Sequence, residues 1–175
     1  MSTPRTRDRG QTPHQLNAMP RTDLLAHLLA CLDVPRWAEA VADSRPFPDR
    51  TAVHDAAERA ARPLSAEEIH RALAAHPRIG ERVEGSGTSA SFSRGEQGGV
   101  DAGDADLTRA LHDGNAEYER RFGHVYLVCA SGRSGTELLE ILHARLDNDH
   151  DTELAVVADE LRAIATLRLD KVIAA

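Results

Sequence analysis

His76 is the residue of this sequence whose type and position best suit proton transfer. It stands before Pro77, at the end of an apolar helical pattern. An unperturbed imidazole titrates near ~6.5, so small shifts make it an acid or a base at neutral pH. A helix C-terminus carries partial negative charge and favours the protonated ring. The plainer alternative is a cap or surface histidine, one of nine in the chain. Ser93-Arg94-Gly95-Glu96-Gln97 lies in a polar stretch and combines donors with acceptors. That set could grip a ureide, which presents alternating N–H and C=O groups. It also fits a helix start, with Ser93 as cap and Glu96 at the third position. Arg168 falls seven positions after Leu161 and eleven after Val157, on an apolar stripe. A guanidinium there needs an anion or carbonyl partner, either a core carboxylate or a substrate carboxylate. Otherwise it snorkels to solvent.

Two further clusters invite chemistry and fit it poorly. Cys129-Ala130-Ser131-Gly132-Arg133 places three residues between Cys and Arg, where the cysteine-phosphatase loop needs five. A phosphate-binding nest at the following helix start stays open. Asp101, Asp104 and Asp106 lack the order and closing Glu of a calcium loop and read as a solvated approach to a helix cap. Cys31 and Cys129 have no zinc-type spacing and read as two buried thiols in a reducing compartment. No metal ligand set is expected.

The elements that must position these residues read as helices. Leu24, Leu25, Leu28, Leu29 and Leu32 recur on one helix face from Thr22 onward. Pro35, Pro46 and Pro48 punctuate the next stretch. Ser65 with Glu68 forms a capping box, Leu64 can staple onto Ile69, and the helix runs to about Ala75, stopped by Pro77. Gly80 to Asp104 reads as a long polar loop, of the kind that is functional or disordered. A helix follows through Leu107, Leu111, Tyr118 and Phe122 to Gly123, then a buried extended segment from His124 to Ala130. Ser134 with Glu137 opens another helix, and the last begins at about Thr152. With no strand set that could pair, the expected class is all-α, a compact single-domain multi-helix bundle without a sheet.

The bulk numbers set the limits. The 175 residues fit one domain. Hydrophobic residues are 41% and aromatics 3%, so the core must be aliphatic. A net charge of −7 argues against nucleic acid or an anionic membrane as partner. The longest apolar run, Val125–Ala130, is too short to span a bilayer. With no secretory h-region, the expected location is cytoplasmic. Residues 1–15 read as a loose basic tail carrying Arg5, Arg7 and Arg9, and 16–175 as the domain.

His76-Pro77-Arg78-Ile79-Gly80, Ser93-x-x-Glu96-Gln97, Tyr126-Leu127-Val128-Cys129-Ala130 with Ser131-Gly132-Arg133-Ser134, and Leu167-Arg168-Leu169 occur in that order. Trp37-Ala38, Arg45-Pro46-Phe47 and Asn115-x-x-Tyr118-x-x-x-Phe122-Gly123 accompany them. From about Leu24 to Val172 the chain resembles the 2-oxo-4-hydroxy-4-carboxy-5-ureidoimidazoline (OHCU) decarboxylases. The resemblance implies a helical bundle, commonly a homodimer, that converts OHCU to (S)-allantoin and carbon dioxide after urate oxidase and hydroxyisourate hydrolase. It implies no cofactor. It makes His76 the catalytic acid/base supported by Glu96. It places Pro77, Ser93, Arg94, Gly95, Glu96, Gln97, Tyr126, Leu127, Val128, Cys129, Ala130 and Arg168 against the substrate. Gly95 within the Ser93–Glu96 segment and the basic tail depart from the pattern. A non-enzymatic helical module binding a ligand or partner is the alternative, and a metal-dependent hydrolase using His76, Glu96 and Asp101 is a further rival.

Overall fold

The structure, a computed structural model, describes residues 13–81, 84–100 and 103–174. Among these residues there are nine α-helices and no strand. The helices are α1 His14–Ala18, α2 Arg21–Cys31, α3 Pro35–Asp43, α4 Arg50–Ala60, α5 Ala66–Ala74, α6 Thr88–Glu96, α7 Ala105–Phe122, α8 Gly135–Arg145 and α9 His150–Ala174. No helix is long and apolar enough to cross a membrane.

Local hydrogen bonding explains most boundaries. Ser65 and Ser134 form complete capping boxes with Glu68 and Glu137. Asp49 and Asp104 accept backbone N–H groups at the starts of α4 and α7. Gly123, at φ +79°, ends α7 in the left-handed region, where a Cβ would be strained. Asp104 thus serves as the expected cap, while Asp101 lies outside the described residues.

Three expectations need correction. The stretch after Cys31 holds two helices, α3 and α4, because Pro35 occupies the first turn of α3, where its missing N–H costs nothing. The polar stretch 80–104 contains α6, which has no clean apolar stripe and is anchored by buried Phe92 and Ser93. His14 and Gln15, assigned to the tail, begin α1, whose Leu16 is buried. The readings of residues 1–12 lie outside the described residues.

Two cores meet along one seam. The larger gathers α1 to α5, Phe92 of α6 and the inner face of α9. The smaller gathers Ile79, α7 and α8. The segment after Gly123 runs between them, and its side chains alternate. Tyr126, Val128 and Ala130 enter the smaller core; Val125, Leu127 and Cys129 pack against the larger. This period of two is that of extended backbone, as expected, but without a neighbouring strand.

Candidate active site

The cleft opens on this seam. The end of α5 delivers His76, whose N–H still donates to Leu73 O at 3.0 Å, and Pro77 turns the chain away. The loop that follows is tied at both edges. Gln97 accepts the Gly80 N–H at 3.1 Å and donates to Arg78 O at 3.3 Å. Asn115 donates to Ile79 O at 2.9 Å. Gly80 takes φ +87°, a geometry that favours glycine.

His76, Pro77, Ser93, Glu96 and Gln97 converge here with Leu127, Val128 and Ala130, and Ile79 and Ile164 complete the wall. Its free volume, about 20 Å³, holds roughly one water. The other expected residues do not line it. Arg94 is exposed and donates to Gly85 O at 2.9 Å, and Gly95 lies beside Lys171. Tyr126 is wholly buried, its hydroxyl donating to Leu138 O at 2.9 Å. Cys129 is part-exposed rather than buried, and Cys31 is buried as expected. Burial pushes the Cys31 thiol up to about 12 and raises Cys129 as well. Two wider clefts, about 420 Å³ beside Arg78 and Glu119 and about 620 Å³ beside Arg62 and Leu154, contain none of the expected residues.

Arg168 stands behind the cleft as its electrostatic anchor. Its Nε donates to Glu96 Oε1 at 2.6 Å and one terminal nitrogen to Oε2 at 2.9 Å. That nitrogen also reaches Ser93 Oγ at 3.2 Å, and the other donates to Ala30 O at 2.9 Å. Of the partners considered for this guanidinium, the structure supplies a protein carboxylate. Ser93 is not a helix cap: it lies in the second half of α6 and donates to Ser89 O at 3.1 Å.

This pairing changes the expected state of His76. Burial drives the imidazole down to about 3, and the Arg168 charge pushes the same way. The helix end and Glu96 were expected to favour the protonated ring. Glu96 instead spends its carboxylate on Arg168, and no hydrogen bond joins it to His76. The empty cleft therefore holds a neutral imidazole.

The backbone offers the remaining polarity. Val128 is 2% exposed, and among the described residues neither its N–H nor its C=O has a hydrogen-bond partner. A buried, unpaired donor and acceptor on one cleft-lining residue is costly unless a ligand or solvent completes it. Extended backbone presents both groups on the same edge, a match for one H–N–C=O unit. Among the described residues no His/Cys/Asp/Glu group is placed to hold a metal ion.

Sequence reading missed Arg145 and Glu153, although both break an apolar stripe as Arg168 does. Arg145 follows Leu138 and Leu142 on the buried face of α8, and Glu153 precedes Val157 and Leu161 on α9. It also missed Asn115 and Gln97 as ties of the His76 loop, whose partners lie 36 and 17 residues away.

A family profile described as OHCU decarboxylase matches residues 17–170. The chain is 30% identical to a 2-oxo-4-hydroxy-4-carboxy-5-ureidoimidazoline decarboxylase of Haloferax volcanii, over 77% of this chain and 79% of that protein. It is 29% identical to the uric acid degradation bifunctional protein TTL of Arabidopsis thaliana, over 81% of this chain but only 44% of that protein. Among solved structures, it is similar to OHCU decarboxylase crystallised in the presence of (S)-allantoin, with a TM-score of 0.70 and 25% identity. That match covers 86% of this chain and 99% of the other.

Proposed function

We propose, from the premise that this chain belongs to the OHCU decarboxylase family, that it converts OHCU to (S)-allantoin and carbon dioxide. The observation that carries this is the neutral His76 set in one cleft with the unpaired Val128 N–H and C=O. The first can move protons and the second can read a ureide edge. The same reading places the chain in the cytoplasm as a homodimer, downstream of urate oxidase and hydroxyisourate hydrolase.

The substrate brings a carboxylate into a site whose standing charge is the Arg168–Glu96 pair. Its negative charge raises the affinity of His76 for a proton, reversing the effect of burial. The C4–carboxylate bond breaks, and its electron pair forms a C4–C5 double bond while the C5=N pair moves onto the ring nitrogen. His76 takes the C4 hydroxyl proton as C4 becomes a carbonyl and returns a proton to C5 from one face. The ring imine serves as electron sink, so no coenzyme is needed. At its present volume the cleft must widen to admit a ureide. The wall with local freedom is α6, whose inward ties are Phe92 and the Ser93 and Glu96 contacts to Arg168.

The test generates OHCU from urate with urate oxidase and hydroxyisourate hydrolase, then adds this chain with chelator present. Faster loss of OHCU, with a growing circular-dichroism signal of (S)-allantoin, is expected. Uncatalysed protonation of the planar intermediate has no preferred face and gives a racemate. A spontaneous rate with an optically silent product, from folded protein, would leave only the non-enzymatic module. Chelator inhibition would favour the metal hydrolase. His76→Asn should fold normally and lose ~10²–10⁴-fold in turnover. Turnover near wild type would remove His76 from its role.

A further inference from the structure

We infer that Glu160, together with Arg145, is a positioning residue that fixes the Val128 N–H and C=O toward the substrate; the inference rests on the proposed reading of the cleft. The extended segment has no neighbouring strand to set its peptide planes. Two ionic side chains take that place. Arg145 donates to Leu127 O at 2.5 Å, and Glu160 accepts the Cys129 N–H at 2.7 Å. These contacts bracket Val128 from either side.

Planarity carries the consequence across each peptide. Both peptides are trans, so the N–H and C=O of each point in opposite directions. Holding Leu127 C=O on Arg145 directs the Val128 N–H the other way. Holding the Cys129 N–H on Glu160 directs the Val128 C=O away from Glu160. The two groups left over are the unpaired pair of the cleft. The contacts also polarise these peptides. A cation on Leu127 C=O makes the Val128 N–H a stronger donor, and an anion on the Cys129 N–H makes Val128 C=O a stronger acceptor, because hydrogen bonds in a chain reinforce one another. Both shifts favour a bound H–N–C=O edge.

Glu160 is the clean handle, since Arg145 also holds the fully buried Glu153. Glu160 is half-buried, and its Cys129 contact is its one hydrogen bond among the described residues. Glu160→Ala and Glu160→Gln, in the full chain, are compared with wild type for kcat, KM and melting. Glu160→Ala should raise KM for OHCU about tenfold or more, with kcat within about threefold, because orientation of a binding edge is lost. Glu160→Gln keeps an oxygen acceptor and should stay within about threefold of wild type in both. A merely structural Glu160 predicts a lower Tm with KM unchanged in the folded fraction, and that result overturns the inference. So does a Gln variant no better than Ala. Wild-type protein inert toward OHCU would instead sink the parent reading, and it shows before any variant is made.

Discussion

The molecule contains two buried arginine–glutamate pairs, and they do different work. Arg145–Glu153 joins α8 to α9 within the interior, with side chains 7% and 0% exposed. Tyr118 and Asn148 complete the Glu153 carboxylate, and Arg145 also reaches Leu127 O. Arg168–Glu96 joins α9 to α6 at the cleft wall, 2% and 10% exposed. The first is closed on every side by protein. The second borders the cleft, and its cation acts on His76. Burial of an ion pair is by itself weak evidence for stability. The difference lies in what surrounds it: a closed network fixes a core, whereas a pair at a cleft wall sets the charge state of its neighbours.

Breaking the interior pair should show the largest effect. Arg145→Ala strands the Glu153 carboxylate and should cost ~3–5 kcal/mol. For a domain of this size that lowers Tm by roughly 10 °C. Thermal melts against Arg168→Ala check the comparison, and an equal or larger loss in the Arg168 variant would undo it. Glu96→Ala should cost less, about 3 kcal/mol or below, because Arg168 gains access to water from the cleft. It should also impair turnover, since α6 loses its tie. Urea melts together with OHCU kinetics measure both effects.

A third test reads the charge state of His76. Its folded pKa, about 3, lies below the ordinary value of ~6.5. Between these values the unfolded chain binds the extra proton, so stability falls as pH drops from about 6.5 toward 3 and is unaffected above. One proton limits the slope to about 1.4 kcal/mol per pH unit. His76→Asn should lack this contribution, and its urea midpoint should therefore fall less than wild type between pH 7 and 4. Parallel acid limbs would contradict the buried neutral imidazole. The smallest effect belongs to an exposed pair of similar geometry. Arg78 Nε meets Glu119 Oε1 at 2.5 Å, with Arg78 44% exposed. Glu119→Ala should cost at most about 1 kcal/mol, and a loss matching Glu96→Ala would deny that burial separates these pairs.

The sequence by itself determined the features whose partners lie within a few residues. The capping boxes at Ser65 and Ser134, the glycine end of α7 and the placement of His76 beyond α5 rest on spacings of three or four positions. The alternating segment after Gly123 and the apolar stripe that exposed Arg168 as misplaced were also visible, because periodicity is local. The order of the motifs was enough to identify the family. Tertiary structure alone decided which carboxylate Arg168 meets, 72 residues away, and that Glu96 is consequently withheld from His76. It also decided that a serine- and glycine-rich stretch forms α6, held by anchors from elsewhere in the chain rather than by its own stripe. The state of His76 belongs to this second group, because a pKa depends on how much water the fold removes and where it sets the nearest charge, and neither is written in neighbouring residues.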